Sequence, residues 1–179
     1  MRSVVLVGLA ALVVAALAAA GSGGGEATAP RPETTVYLLT ADRSAPIGVR
    51  RTLARRSPFA REALRALLAG PTAAERRLGL TTAIPARTRL VSFRSDSVAV
   101  VGLTGLPQSA SGVNRVRVLT QIVRSLVGLS GIERVRVRND GRPWGLWLQS
   151  GGVDDRPLGY DDLLGWHVGG AGGLFSALP

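Results

Sequence analysis

Hydrophobic and polar residues alternate along much of this chain in short runs, and two longer segments with helical spacing interrupt them. The alternating runs predict six strands, at 34–41, 47–53, 88–94, 97–103, 133–139 and 144–148. One main helix is predicted to open at 57–58 and end at 70–71, a second to cover 113–129, and a last short helix to cover 158–164. This order, β-β-α-β-β-α-β-β, predicts an α+β fold in which a mainly antiparallel sheet carries two main helices on one face.

Local signals mark where the helices begin and end. Ser57 is suited to cap the first helix with Pro58 at its first helical position, and the glycine–proline pair at 70–71 ends it. Thr72 and Glu75 have the spacing of a capping box, which predicts a short second helical turn. The apolar stripe of the second main helix is predicted to consist of Val113, Val116, Leu119, Thr120, Val123, Leu126 and Val127.

Period-2 alternation assigns the faces of the strands. It places Leu90 on one face of its strand and Val91 with Phe93 on the other. The alternation over 133–139 turns valines inward and arginines outward, and the Asp-Gly pair at 140–141 predicts a tight hairpin to the following strand.

The N-terminal residues are typical of an export signal. After Arg2, an uncharged apolar run over 4–21 ends in small residues with an A-x-A-like pattern, which predicts that any cleavage falls near Ala20, Gly21 and Ser22. Ser22 stands where a lipoprotein needs cysteine, and a hydroxyl cannot form the thioether of a lipid anchor. We therefore expect an exported protein that is either tethered to the membrane by an uncleaved N-terminal helix or secreted after cleavage.

The remaining composition predicts the domain organisation. Segment 1–21 is the signal peptide or membrane helix, and the small, polar and proline-bearing residues 22–34 predict a flexible linker. The folded domain is expected over 35–164, followed by a glycine-rich tail at 165–179.

Charge and rare residues limit the chemistry. The net charge is +10, and because lysine is absent, arginine alone makes up the 22 Lys and Arg residues. Arginine without lysine, beside abundant alanine and glycine, is typical of GC-rich coding, so the charge alone does not indicate nucleic-acid binding, and we expect none. Without cysteine and with one histidine, the chain can form no disulfide, thiolate metal site or multi-histidine site.

The densest basic stretch is a candidate anion-contact patch. Forked hydrogen bonds from arginines could hold phosphate or carboxylate, whereas the alternative is a solvated face. The patch consists of Arg50, Arg51, Arg55 and Arg56.

Catalytic and metal sites find little support. The acidic residues Asp154, Asp155, Asp161 and Asp162 lack EF-hand spacing and are interpreted as capping and solvated loop charges. The one histidine, His167, lies in the glycine-rich tail, and the sequence contains no G-x-S-x-G nucleophile elbow, so a Ser-His-Asp hydrolase site is not supported. Trp144 and Trp147 are predicted to point to opposite faces of a strand, either packed or with one exposed for a protein contact.

Two segments carry a family resemblance. Residues 63–90 and 118–143 resemble the GerMN domain of sporulation and germination proteins and of many exported actinobacterial proteins. The resemblance covers about 35–164. The residues that carry it are Leu67, Leu68, Gly70, Pro71, Glu75, Gly79, Leu80, Ile84 and Pro85 in the first segment, and Gln121, Ile122, Val123, Ser125, Leu126, Gly131, Asp140 and Gly141 in the second.

The resemblance implies a non-catalytic module without cofactor that serves in assembling or stabilising envelope complexes, in sporulation or germination or beside a sensor kinase. We expect an envelope protein as partner and membrane contact through the N-terminal segment. The alternative is a binding module for an anionic envelope ligand, a phosphate polymer or lipid headgroup, that uses surface arginines. An envelope hydrolase has the least support.

Overall fold

The computed structural model describes residues 31–54 and 58–163. The N-terminal segment with the processing residues 20–22, most of the linker, residues 55–57 and everything from 164 onward lie outside this part of the chain. The predictions for Arg55, Arg56, the cap Ser57 and the tail therefore lie outside the described residues. None of the helices in the described ranges combines the length and apolarity that a bilayer crossing needs.

The described elements follow the predicted order. The strands are β1 (Glu33–Leu39), β2 (Pro46–Thr52), β3 (Arg89–Ser95), β4 (Val98–Thr104), β5 (Arg134–Asn139) and β6 (Arg142–Pro143). The helices are α1 (Phe59–Leu68), α2 (Ala73–Arg77) and α3 (Gly112–Leu126), with short 3-10 turns at Leu129–Gly131 and Asp161–Leu163.

The strands form two sheets. β1 and β2 make an antiparallel pair, and a second sheet has the order β3-β4-β5-β6. Within it β3–β4 and β5–β6 are antiparallel, whereas β4–β5 is parallel because the connection between them is a crossover that contains α3. The α+β class is confirmed, and the single sheet of the prediction is corrected to two sheets with one parallel pairing.

The core lies between the helices and the inward face of the larger sheet. α1 and α3 contact each other and β1, and they reach the larger sheet through β3 and β5. The core residues of β4 and β5 alternate along their strands, and the inward valines of β5 are those that the sequence predicts. The core residues of the sheet include Phe93, Ala99, Val101, Leu103, Val135 and Val137.

Most local signals are confirmed. Gly70, after α1, has a φ of +72°. Thr72 and Glu75 make both hydrogen bonds of the capping box at α2. Asp140 and Gly141 have φ values of +51° and +75°, as a tight turn between β5 and β6 requires. The start of α1 differs, since Pro58 occupies the cap position and the helix begins at Phe59.

One alternation prediction is wrong. The β3–β4 register shifts between Leu90 and Ser92, so Val91 sits in a bulge and is 67% exposed. Because the bulge inserts one residue, Leu90 and Phe93 both pack on the core, although they are three residues apart.

Several boundaries also differ. β1 begins at Glu33, and Thr34 is buried, so these two residues belong to the sheet rather than to the linker. α3 ends at Leu126 because Val127 turns to an extended conformation and Gly128 has a φ of +88°. Val113, predicted in the buried stripe, is 48% exposed.

The C-terminal part is less regular than predicted. The strand expected over 144–148 is absent, since β6 ends at Pro143. The helix expected over 158–164 reduces to the turn Asp161–Leu163, while Leu158 forms a bridge with Val135 of β5 through two 2.8 Å hydrogen bonds. Backbone groups of this segment are thus used in pairing with β5 instead of in a helix.

Candidate functional site: the groove beside strand β1

Arg51 of the proposed basic patch is held inside the domain. Its guanidinium forks onto the Glu75 carboxylate, with Nη2 donating at 2.7 Å to Oε2, and Nη2 also donates to the Gly70 carbonyl at 3.2 Å. The Glu75 side chain also accepts from the Thr72 amide at 2.7 Å. The hydrogen bond from Arg51 is the largest cause that lowers the pKa of Glu75, against the opposing effect of burial. Arg51 therefore joins β2 to the start of α2.

Two buried polar residues of α3 attach the helix to β1. Gln121 donates from Nε2 to the Tyr37 carbonyl at 2.8 Å, and its Oε1 accepts from the Ala83 amide at 2.8 Å. Ser125 accepts from the Tyr37 amide at 2.9 Å and donates to the Gln121 carbonyl at 2.7 Å. These side chains occupy the place of a neighbouring strand at this point of the β1 edge. Their burial is explained by this role, since buried polar groups need partners.

Beyond Tyr37, the same edge of β1 borders an open groove of about 450 Å³. The groove is lined by the start of β1, by one residue of β2, and by the end of α3 with the turn that follows. The lining residues are Glu33, Thr34, Thr35, Tyr37, Arg50, Arg124, Ser125, Val127 and Leu129.

The groove is predominantly positive. Arg50 is exposed and lies 3.9 Å from the Glu33 carboxylate, with 85% of its side chain accessible. Arg124 lies over the rings of Tyr37 and Tyr160, at 5.8 and 4.7 Å from their centroids. Glu33 is the only acidic residue among the lining residues that the structure describes.

The structure also shows a buried cation that sequence reasoning missed. Arg115 is 0% exposed and lies between the rings of Trp144 and Trp147, at 4.5 and 4.3 Å from their centroids. It donates to the carbonyls of Gly145 at 3.1 Å and Gln108 at 2.8 Å, and burial lowers its pKa. A signal was available in the sequence, because position 115 continues the helical spacing of the buried residues of α3.

The two tryptophans do not point to opposite faces, because their segment is not a strand. Trp144 is fully buried and Trp147 is 39% exposed, and both rings pack on one guanidinium. Of the two alternatives left open by the sequence, the structure shows one tryptophan packed in the core and the other partly exposed.

The acidic loop pairs with the outward arginines of β5. Arg134 donates to Asp162 at 3.0 Å, and Arg138 donates to Asp155 at 3.4 Å. Arg156 in the loop itself bonds Asp154 at 2.7 Å. Within the described ranges no group of three or more His, Cys, Asp or Glu residues could hold a metal ion. These carboxylates hold the loop on the sheet.

Comparison with known proteins assigns the family. The family model described as Germane, sporulation and spore germination, matches residues 35–144, more than half of the chain. The chain belongs to the GerMN (Germane) family.

Solved structures share the GerMN fold. The first GerMN domain of the sporulation protein GerM from Bacillus subtilis matches with a TM-score of 0.57 at 18% identity, over 73% of this chain and 99% of that one. The tandem GerMN domains of the same protein match with a TM-score of 0.55 at 17% identity, over 73% of this chain. The chain covers 47%, about half, of that tandem structure. A comparison with curated proteins finds no match.

The GerMN motif residues have structural positions in this domain. The Gly70 carbonyl and the Glu75 carboxylate accept hydrogen bonds from Arg51. Gly79 has a φ of +80°, and Ile84 is buried. The carbonyls of Pro71 and Pro85 accept hydrogen bonds from Arg76 and Thr88. The Asp140–Gly141 turn connects β5 with β6. The fold brings the groove residues Arg50 and Arg124 together, and only Arg50 belongs to the basic patch that the sequence predicts.

Proposed function

We propose that this GerMN domain is a non-catalytic, extracytoplasmic module that binds a partner protein in the cell envelope, in sporulation or germination or beside a sensor. Family membership supports the link with sporulation and germination. The apolar run over 4–21 supports export and tethering at the membrane.

The observation that carries the binding role is the open groove at the edge of β1. An uncovered strand edge offers unpaired backbone groups to another chain, and proteins usually cover or blunt such edges. Within residues 31–54 and 58–163, Gln121 and Ser125 cover the edge at Tyr37, and the part next to Glu33 and Thr35 borders the groove. Asp154, Asp155 and Asp162 of the acidic loop are engaged by arginines, which speaks against their use as a catalytic pair.

Site-specific photocrosslinking in the cell of origin tests this function. We would replace Glu33 with benzoylphenylalanine in the full-length chain and compare it with the same replacement at Arg94, an exposed β3 residue outside the groove. We expect a discrete protein adduct from position 33 that Arg124→Gln weakens, and no equivalent adduct from position 94. Equal labelling from both positions, or none from position 33, would contradict the proposal. So would a reproducible enzymatic turnover that a single substitution abolishes.

A further inference from the structure

The direction of the β1 backbone groups follows from its pairing. Leu53 donates its amide to the Pro32 carbonyl at 2.8 Å, so even-numbered positions of this segment face β2. Odd-numbered positions face the opposite edge, where Tyr37 meets Ser125 and Leu39 exchanges two hydrogen bonds with Thr81. Backbone direction alternates along a strand, so the N–H and C=O of Thr35 point to the edge that borders the groove.

The open edge is short. Tyr37 and Leu39 are already paired at one end, which leaves, in the part of the chain that the structure describes, the stretch from Glu33 to Thr35. At about 3.3 Å per residue, the stretch from Glu33 to Thr35 accommodates about three residues of an extended segment. The groove, with a volume of about 450 Å³, lies alongside this stretch.

A buried hydroxyl beside the groove has no partner within the described part of the chain. Thr34 is 7% exposed and lines the groove, and its Oγ1 has no hydrogen-bond partner among the described residues. Buried hydroxyls are normally paired, but this oxygen is itself shielded from solvent and gives no contact point for a segment in the groove.

The charges select the kind of neighbour. Arg124 and Arg50 line the groove, and Arg124 takes part in none of the ion pairs found among residues 31–54 and 58–163. Guanidinium groups form forked hydrogen bonds with carboxylates. A partner segment that carries acidic side chains would therefore complement the groove.

We propose that the groove binds an extended, acidic segment of the partner protein, which pairs as an added strand with β1 at Glu33–Thr35 and places carboxylates on Arg124 and Arg50. This inference rests on the proposed function and specifies how the partner is held. Strand addition supplies affinity through main-chain hydrogen bonds and specificity through alternate side chains.

The test uses the full-length chain in detergent micelles and an acetylated heptapeptide of alternating glutamate and valine. Fluorescence anisotropy measures Kd, and hydrogen exchange measures protection of the Thr35 amide. We expect saturable binding, slowed exchange at Thr35, and a Kd raised about tenfold by Arg124→Gln, the size of one charge-assisted hydrogen bond. Arg94→Gln removes the same charge outside the groove and should leave Kd unchanged.

Two altered peptides separate charge from strand pairing. Lysine in place of glutamate should abolish binding. Backbone N-methylation of alternate peptide residues should also abolish binding when the methylated edge of the peptide faces β1. Because N-methylation changes only the peptide, folding of the protein is not affected.

Several results would overturn the inference. They are no binding of the acidic peptide at millimolar concentration, unchanged binding after N-methylation on either edge, or no protection of Thr35. Binding of polyphosphate or anionic vesicles that Arg124→Gln weakens, without peptide binding, would assign the groove to an anionic envelope ligand. A crosslink from position 33 without peptide binding would reject only this mode of binding, whereas peptide binding without a crosslink in cells would reject the proposed function.

Discussion

The ion pair between Arg51 and Glu75 should contribute strongly to stability, and Glu75→Gln tests this. The Glu75 carboxylate accepts from both Nη atoms of Arg51 and from the Thr72 amide, and each side chain of the pair is only 14% exposed. Hydrogen bonds to charged groups contribute about 1.5–3 kcal/mol. Residual exposure weakens the charge effect, so we expect a loss of about 2 kcal/mol in the free energy of unfolding.

Urea unfolding followed by circular dichroism measures this loss. For a domain of this size, about 2 kcal/mol corresponds to a decrease in Tm of about 8 °C. The matched control is Glu33→Gln, which removes the charge from an exposed pair at 3.9 Å and should cost less than about 0.5 kcal/mol. A double-mutant cycle with Arg51→Gln should show coupling between residues 51 and 75.

The same pair predicts a dependence on pH. The pKa of Glu75 is lowered below its ordinary value of 4.5, chiefly by the hydrogen bond from Arg51. A lowered folded-state pKa gives stability that is present above the unfolded pKa and is lost as pH falls through the folded one. Stability should therefore decrease below about pH 4.5 by more in the parent than in Glu75→Gln. Equal losses for Glu75→Gln and Glu33→Gln, absent coupling and an unchanged pH profile would refute the reasoning.

Three further predictions follow from other contacts. Gly145→Ala should lower the free energy of unfolding, measured with denaturant, by about 1–3 kcal/mol, because the added Cβ would lie 1.8 Å from the Asp154 carbonyl oxygen. Gly159→Ala is the mild control, since the atom nearest to its added Cβ is at 3.6 Å. Equal losses for the two variants would contradict this prediction. Arg115→Lys should shift tryptophan emission to longer wavelength and lower the free energy of unfolding, measured in urea, by about 1 kcal/mol. The reason is that lysine cannot make the planar stack and both hydrogen bonds of Arg115. Unchanged emission would count against the stacking role. The pKa of Asp42 is lowered to about 2, chiefly by the Thr40 hydroxyl and then by Ser44, and it should rise toward 3.8 in Thr40→Val when followed by NMR. The stabilising effect of the ionised Asp42 should be lost as pH falls from about 4 through 2. An unchanged pKa in Thr40→Val would refute the assignment.

Features that a few neighbouring residues determine could be read from the sequence. The capping box of Thr72 and Glu75, the left-handed Gly70 and the Asp140–Gly141 turn all satisfy backbone groups within the same short segment. Amphipathic spacing likewise located α1 and most of α3. The family resemblance rests largely on such residues, and the family match confirms it.

The arginines of the groove are only partly predictable from the sequence. Arg50 stood out as part of a basic stretch, but its neighbour in the same stretch turned inward to Glu75, which lies 24 residues away in the chain. Arg124 gave no local signal, because its place opposite β1 depends on how α3 packs.

The sequence by itself determined the order of the elements, their caps and turns, and the apolar faces of most of them. Only the tertiary structure decided that β4 and β5 are parallel, that Val91 bulges, that Arg115 is buried between two tryptophans, and which part of β1 borders the groove. The physical reason is the range of the interactions: caps and turns are satisfied within one segment. Pairing partners, ion pairs and uncovered edges are instead set by residues that meet only when distant parts of the chain pack together.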